Sequence, residues 1–144
     1  IEFPKGKISL GNDGKAYLKY NESYENPYFL DFDSKDMKNR YLYLETARGC
    51  PYNCAYCLSS TDRKLRAFSD EYVMSTLEKI KNSEVRQVKL LDRTFNCMPQ
   101  RALKIARYMN EECKNQIFQF EIVAETLSEQ LIDFFIHFIS NFFL

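Results

Sequence analysis

Tyr41-Leu-Tyr-Leu-Glu-Thr46 runs without a break into Ala47-Arg-Gly-Cys50-Pro-Tyr-Asn-Cys54-Ala-Tyr-Cys57, and this junction decides how the rest of the chain reads. The first part sets Leu42 and Leu44 against Tyr43 and Glu45, the period-two pattern of a strand with one apolar face. The second part places three cysteines, spaced Cys-x3-Cys-x2-Cys, at the carboxyl end of that strand. Soft thiolates choose zinc, Cu(I) or iron–sulfur clusters over hard cations. A structural zinc site wants four ligands, usually in Cys-x2-Cys pairs. Three close cysteines and a single distant His137 serve zinc poorly. Three thiolates on a four-iron cube leave one iron open, and an open position is how a metal site binds a substrate. Gly49 and Pro51 suit a loop that bends around a bulky group.

Downstream, strand and helix patterns alternate. Ser69 is placed to cap a helix over 70–82, with acidic residues in its first turn and Val73, Leu77 and Ile80 on one face. Residues 85–91 read as a second strand, with Val88 and Leu90 opposite Gln87 and Lys89. A second helix is expected over 100–113, with Ala102 or Leu103, Ala106, Met109 and Cys113 at helical spacing. Residues 117–124 read as a third strand, with Phe118, Phe120 and Ile122 opposite Gln119 and Glu121. Thr126-Leu-Ser-Glu129 fits a capping box that opens a third helix. Three βα units imply an α/β fold with a parallel sheet and right-handed crossovers. The apolar strand faces should meet the helices. The mixed faces carry Glu45, Lys89 and Glu121, which suits either the lining of an occupied cavity or a face left wet or covered by the N-terminal segment.

Upstream, Ile8-Ser-Leu10, an Asn12-Asp-Gly14 turn and Ala16–Tyr20 predict a β-hairpin. Residues 21–40 are polar and turn-rich, as in a linker. We therefore divide the chain into an N-terminal hairpin and linker over 1–40 and a βα domain over 41–144. Lysine plus arginine and aspartate plus glutamate both number 20, so no net field points to nucleic acid or to a lipid surface. No secretory signal opens the chain, and the apolar stretch 134–144 is too short to span a membrane. Five cysteines, three of them clustered, argue against a disulfide framework and for a reducing cytoplasm.

Through Cys50, Cys54 and Cys57, with aromatic Tyr56 before the last cysteine, the chain resembles the radical SAM superfamily. The wider stretch 45–60, followed by Val88-Lys-Leu-Leu-Asp-Arg-Thr-Phe-Asn96, looks like the subgroup that carries an upstream cobalamin-binding domain. The resemblance covers roughly residues 41–133. It implies a partial (β/α) radical SAM barrel in which the three cysteines hold a [4Fe–4S] cluster. The open iron would chelate the amino and carboxylate groups of S-adenosylmethionine (SAM). One electron, from a donor such as flavodoxin or ferredoxin, would then cleave SAM to methionine and a deoxyadenosyl radical acting on a small-molecule substrate. Tyr56 would lie near adenine. The resemblance also implies cobalamin as a cofactor of the full-length protein.

Three further residues sit where such a site would form. Asp92, ending the second strand, could meet the SAM amino group, or serve in a surface ion pair or a turn. Glu121 and Glu125, four apart on the expected third strand, could bind SAM or substrate, or pair with Lys89. Cys97 is either another thiol of the site or a buried small hydrophobe, the commoner role; Cys113 reads as core. His137 stands in an apolar stretch and reads as a packing or helix-end residue.

Three βα units are about half of a radical SAM barrel, and the tail Phe134-Phe-Ile-His-Phe-Ile-Ser-Asn-Phe-Phe-Leu144 is unlike a fourth strand. Either the chain is a piece of a longer protein, the reading we favour, or its open sheet edge pairs with a second copy. Both expect self-association through exposed apolar surface. The readings of function are then a radical SAM enzyme, a truncated remnant that binds a cluster or zinc without catalysis, and a zinc-binding interaction module.

Overall fold

The computed structural model describes residues 2–3, 6–10, 16–20, 34–61 and 64–140. The chain forms two compact units, Ile1–Ser34 and Lys35–Leu144. In the first, β1 (Glu2–Phe3), β2 (Gly6–Leu10) and β3 (Ala16–Tyr20) make an antiparallel sheet in that order. The expected hairpin is its β2–β3 pair, in register from Gly6↔Tyr20 to Leu10↔Ala16. Strand β1 went unread because two residues are too few to show a period. The Asp-Gly turn and the linker over 21–33 lie outside the described residues.

In the second unit, a 3-10 turn over Ser34–Asn39 buries Met37 and leads into β4 (Tyr41–Leu44). There follow β5 (Ala47–Arg48), β6 (Arg66–Ala67), α1 (Asp70–Lys81), β7 (Gln87–Leu90), α2 (Pro99–Glu112), β8 (Ile117–Gln119) and α3 (Glu129–Ser140). Strands β4, β7 and β8 form a parallel sheet in that order. Leu42 faces Val88 in register, and Val88 faces Phe118. The fold is α/β with three parallel strands and three helices, as the alternation predicts.

The core follows the strand alternation. Leu42, Leu44, Val88 and Leu90 are buried, while Tyr41 and Tyr43 are exposed. Against them pack Val73, Leu77 and Ile80 of α1 and Ala102, Leu103, Ile105, Ala106 and Met109 of α2, all buried. Burying each large aliphatic side chain stabilises the unit by about 1.5–3 kcal/mol. Ser69 caps α1 as expected, its hydroxyl accepting the Tyr72 N–H at 3.2 Å. Cys113, at the end of α2, is buried and donates to the Leu77 carbonyl at 3.8 Å, a core residue as read.

Two expectations need correction. The third strand ends at Gln119 rather than at Ala124, so Ile122 is 41% exposed instead of facing the core. A 3-10 turn over Ala124–Thr126 follows, closed by Thr126 N–H on the Val123 carbonyl at 3.3 Å. Helix α3 is capped by Ser128, whose hydroxyl accepts the Leu131 N–H at 3.3 Å, and not by Thr126. Thr126 is already spent on the preceding turn, its hydroxyl donating to Val123 at 3.2 Å. Among the described residues no helix is long and apolar enough to cross a membrane.

Candidate metal centre

The three cysteines occupy a loop that leaves and returns at one point. Beyond β4 the chain pairs β5 with β6, Ala47 opposite Ala67 and Arg48 opposite Arg66. Just beneath, the Phe68 N–H donates to the Thr46 carbonyl at 3.0 Å. Gly49, φ 90°, then turns the chain outward through a left-handed conformation that a Cβ would oppose. Cys50 is buried, Cys54 exposed and Cys57 half-buried, and none is in a disulfide. Cys57 closes a turn on the Cys54 carbonyl at 3.1 Å, and a 3-10 turn over Leu58–Thr61 follows. Tyr56 and Leu58 point outward, 92% and 89% exposed.

A buried polar network fixes the base of the loop. Asp92, 3% exposed, accepts the Thr46 N–H at 2.7 Å and the Thr46 hydroxyl at 2.5 Å, joining the ends of β4 and β7. Arg101 of α2 donates to the Thr46 hydroxyl oxygen at 3.3 Å, the Phe68 carbonyl at 2.8 Å and an Asp70 carboxylate oxygen at 3.1 Å. Its planar fork thus holds both arms of the loop and the start of α1 together. Burial pushes Asp92 above the ordinary carboxylate range, while the bonds from Thr46 pull it back. Both of its oxygens serve the fold, and among the described residues the surface ion pair considered for it is not formed.

A second set of contacts ties the loop to the ends of β7 and β8. The Cys50 sulfur lies 3.6 Å from the Thr94 hydroxyl. The Tyr52 hydroxyl donates to Thr126 at 3.2 Å. Asn96, fully buried, donates to the Val123 carbonyl at 2.8 Å and to Thr126 at 3.1 Å, and accepts the Val123 N–H at 2.9 Å. The Phe95 N–H donates to the Glu121 carbonyl at 2.8 Å. At Val123, four residues past the end of β8, the Asn96 amide thus supplies the partners that a neighbouring strand would.

Cys50, Asp92 and Cys97 thus gather at the carboxyl ends of the strands, the edge at which parallel α/β sheets bind ligands. Tyr56 and Glu121 are exposed. Glu125 sits on the 3-10 turn and not on a strand, so the expected pairing with Glu121 along one strand face is lost. Among the described residues neither glutamate forms an ion pair with Lys89. Glu45 instead forms a bidentate pair with Arg48, through Nε at 3.0 and 3.1 Å. His137 is exposed on α3, its Nδ1 2.7 Å from the Asp133 carbonyl. A cavity of about 280 Å³, lined by Lys38, Glu84, Arg86 and Asn115 among others, opens at the opposite end of the strands, away from the cysteines. Thr46, Thr94, Asn96, Arg101 and Thr126 went unread as site residues. The available signal was polar side chains placed just beyond each strand, which must find partners once buried.

The thiols differ by environment. Hydrogen bonds from the Ser59 backbone, then from its side chain, hold the Cys57 thiol below its ordinary range, and the Arg93 charge adds a smaller pull. Burial, then the Asp92 and Cys50 charges, push Cys97 up. Burial pushes Cys113 up to about 11. Among the described residues no three of His, Cys, Asp or Glu converge on a point that would hold a single metal ion. The donor set fits a cluster nonetheless. A cluster takes one thiolate per iron, and three thiols outside any disulfide on one loop are a donor set of that kind.

No family model matches the chain. It is 38% identical over 73 residues to the cobalamin-dependent radical SAM methyltransferase TokK of Streptomyces tokunonensis, covering 49% of this chain and 11% of the relative. It is 39% identical over 69 residues to a 2-(S-pantetheinyl)-carbapenam-3-carboxylate methyltransferase of Streptantibioticus cattleyicolor, covering 46% and 10%. An uncharacterised methyltransferase of Pyrococcus horikoshii is 33% identical over 70 residues, covering 46% and 15%. The chain therefore spans only a small part of the length of these relatives. Over about half of its own length it is similar to methyltransferases, one of them a cobalamin-dependent radical SAM enzyme.

Proposed function

We propose that this chain is the cluster-binding part of a radical SAM enzyme, and that the full-length protein is a methyltransferase. The observation that carries the reading is the loop itself: Cys50, Cys54 and Cys57, free thiols on one loop closed at the carboxyl edge of a parallel sheet. Strands β4, β7 and β8 would be three strands of a (β/α) barrel completed by the rest of the protein. The three cysteines would hold a [4Fe–4S] cluster, which supplies the electron that cleaves SAM reductively.

The remaining roles belong to this chain's own side chains. Asp92 and Arg101 fix the loop's base through Thr46 and Phe68, setting where the thiols stand. Tyr56, outward on the loop, offers a ring for the adenine of SAM to stack on. Glu121, exposed on the same rim, offers a carboxylate to the SAM amino group. Asp92, buried and already bonded to Thr46 through both oxygens, is the less accessible carboxylate. Cobalamin would come from the upstream part of the full-length protein, and the electron from a flavodoxin or ferredoxin.

Anaerobic reconstitution of the full-length protein tests this. The expected result is a brown protein with about four irons and four sulfides per chain, which cleaves SAM when reduced. The variant with Cys50, Cys54 and Cys57 all changed to Ala should lose both properties. Equal iron and sulfide uptake by that variant would overturn the cluster assignment. Stoichiometric zinc in a colourless protein would favour the interaction module, and a cluster without SAM cleavage the non-catalytic remnant.

A further inference from the structure

Thr94 lies one position before the 3-10 turn Phe95–Cys97, and its side chain makes no capping bond to that turn. Its hydroxyl is instead 2.7 Å from the Arg93 carbonyl, to which it donates, and 3.6 Å from the Cys50 sulfur. Thr94 is 4% exposed and Cys50 8% exposed, so both residues lie largely out of water. A hydroxyl has one proton to give and two lone pairs with which to accept. While Cys50 is a thiol, the bookkeeping closes: the thiol donates to Thr94, and Thr94 donates to the Arg93 carbonyl. A metal-bound Cys50 has lost its proton and can only accept. Two acceptors then compete for one hydroxyl proton, and the charged sulfur is the stronger.

We propose that Thr94 is the hydrogen-bond donor to the Cys50 sulfur in the cluster-loaded protein, and that this bond raises the reduction potential of the cluster. The proposal rests on the cluster reading above. Hydrogen bonds to ligand sulfurs and exclusion of solvent are both levers on cluster potential. The reduced cluster carries one more negative charge than the oxidised one, so a donor at sulfur stabilises the reduced form more. Cys54 is exposed and Cys57 half-buried, leaving their sulfurs nearer water. Cys50 is the ligand held from outside the loop, by a residue fixed to the end of β7. Thr94 is a positioning residue, acting through Cys50.

The test is an anaerobic dithionite titration of the full-length reconstituted protein, followed by the electron paramagnetic resonance signal of the reduced cluster. Thr94→Val keeps the shape and removes the proton; Thr94→Ser keeps the proton. Val should lower the ratio of reduced to oxidised cluster at a fixed potential by about tenfold, a midpoint lower by about 59 mV for one electron. Ser should stay within about twofold of the parent. An unchanged midpoint in Val, or a fall in Ser equal to that in Val, would overturn the role of Thr94 while leaving the cluster reading standing. A parent protein that takes up no cluster would overturn both. If the Val variant folds but does not load, Thr94→Ala is titrated in its place. Loss of cluster from both, with Ser loaded, would support the hydroxyl as the required donor.

Discussion

Arg101 carries more of the site than its place on a helix suggests. Its guanidinium reaches three acceptors on three segments: the Thr46 hydroxyl, the Phe68 carbonyl and the Asp70 carboxylate. A lysine keeps the charge but gathers its donors on one nitrogen, so it cannot serve all three. Arg101→Lys should therefore lower stability by about 1–2 kcal/mol, the worth of one or two hydrogen bonds, measured by urea denaturation. Lys104→Met, which removes the exposed partner of Asp70 at 2.7 Å, should change stability by less than about 0.5 kcal/mol. Equal losses in the two variants would mean that Arg101 acts as a charge and not as a fork. Its part was not legible in the sequence, where Arg101 is one of 20 basic residues and its three acceptors lie 31 to 55 positions away. The cysteines, by contrast, were legible because thiolate chemistry and close spacing are local properties.

At the scale of elements, the patterns that read correctly are those carried by neighbours in sequence. Alternation in β4 and β7, the apolar stripes of α1 and α2 and the Ser69 cap all depend on residues a few positions apart. The end of β8 does not. The segment beyond it is held by Asn96, 27 positions before Val123, whose side chain bonds both the N–H and the C=O of that residue. Phe120 and Ile122 continue the apolar period beyond the strand, so the pattern alone extends it too far. The misplaced cap of α3 has the same origin, since Thr126 is occupied by contacts from Tyr52 and Asn96. Asn96→Ala should leave the Val123 amide without its acceptor. Native-state hydrogen exchange should then be about tenfold faster or more at Val123, with β4 amides less affected. Unchanged protection at Val123 would show that Asn96 does not hold this segment.

At the scale of the whole molecule, apolar side chains stand exposed on β8 and beyond it, with Ile117 57%, Ile122 41%, Ile132 41% and Ile136 58% exposed. Among the described residues strand β8 is also the edge of its sheet, where a further strand can pair. We expect this 144-residue chain, expressed alone, to form dimers or larger species, and light scattering to show a mass rising with concentration. A monomer at every concentration would overturn that expectation. The pairing of Thr46 with Phe68 carries a different consequence, for how such a loop can diverge. Because its two arms are already held side by side, the entropy of closing the chain between them grows only with the logarithm of its length. Doubling that length would cost only about 0.6 kcal/mol. Sequence and length between Cys57 and β6 can then drift at little thermodynamic cost, whereas a change at Thr46, Asp92 or Arg101 takes a hydrogen-bond partner from the others.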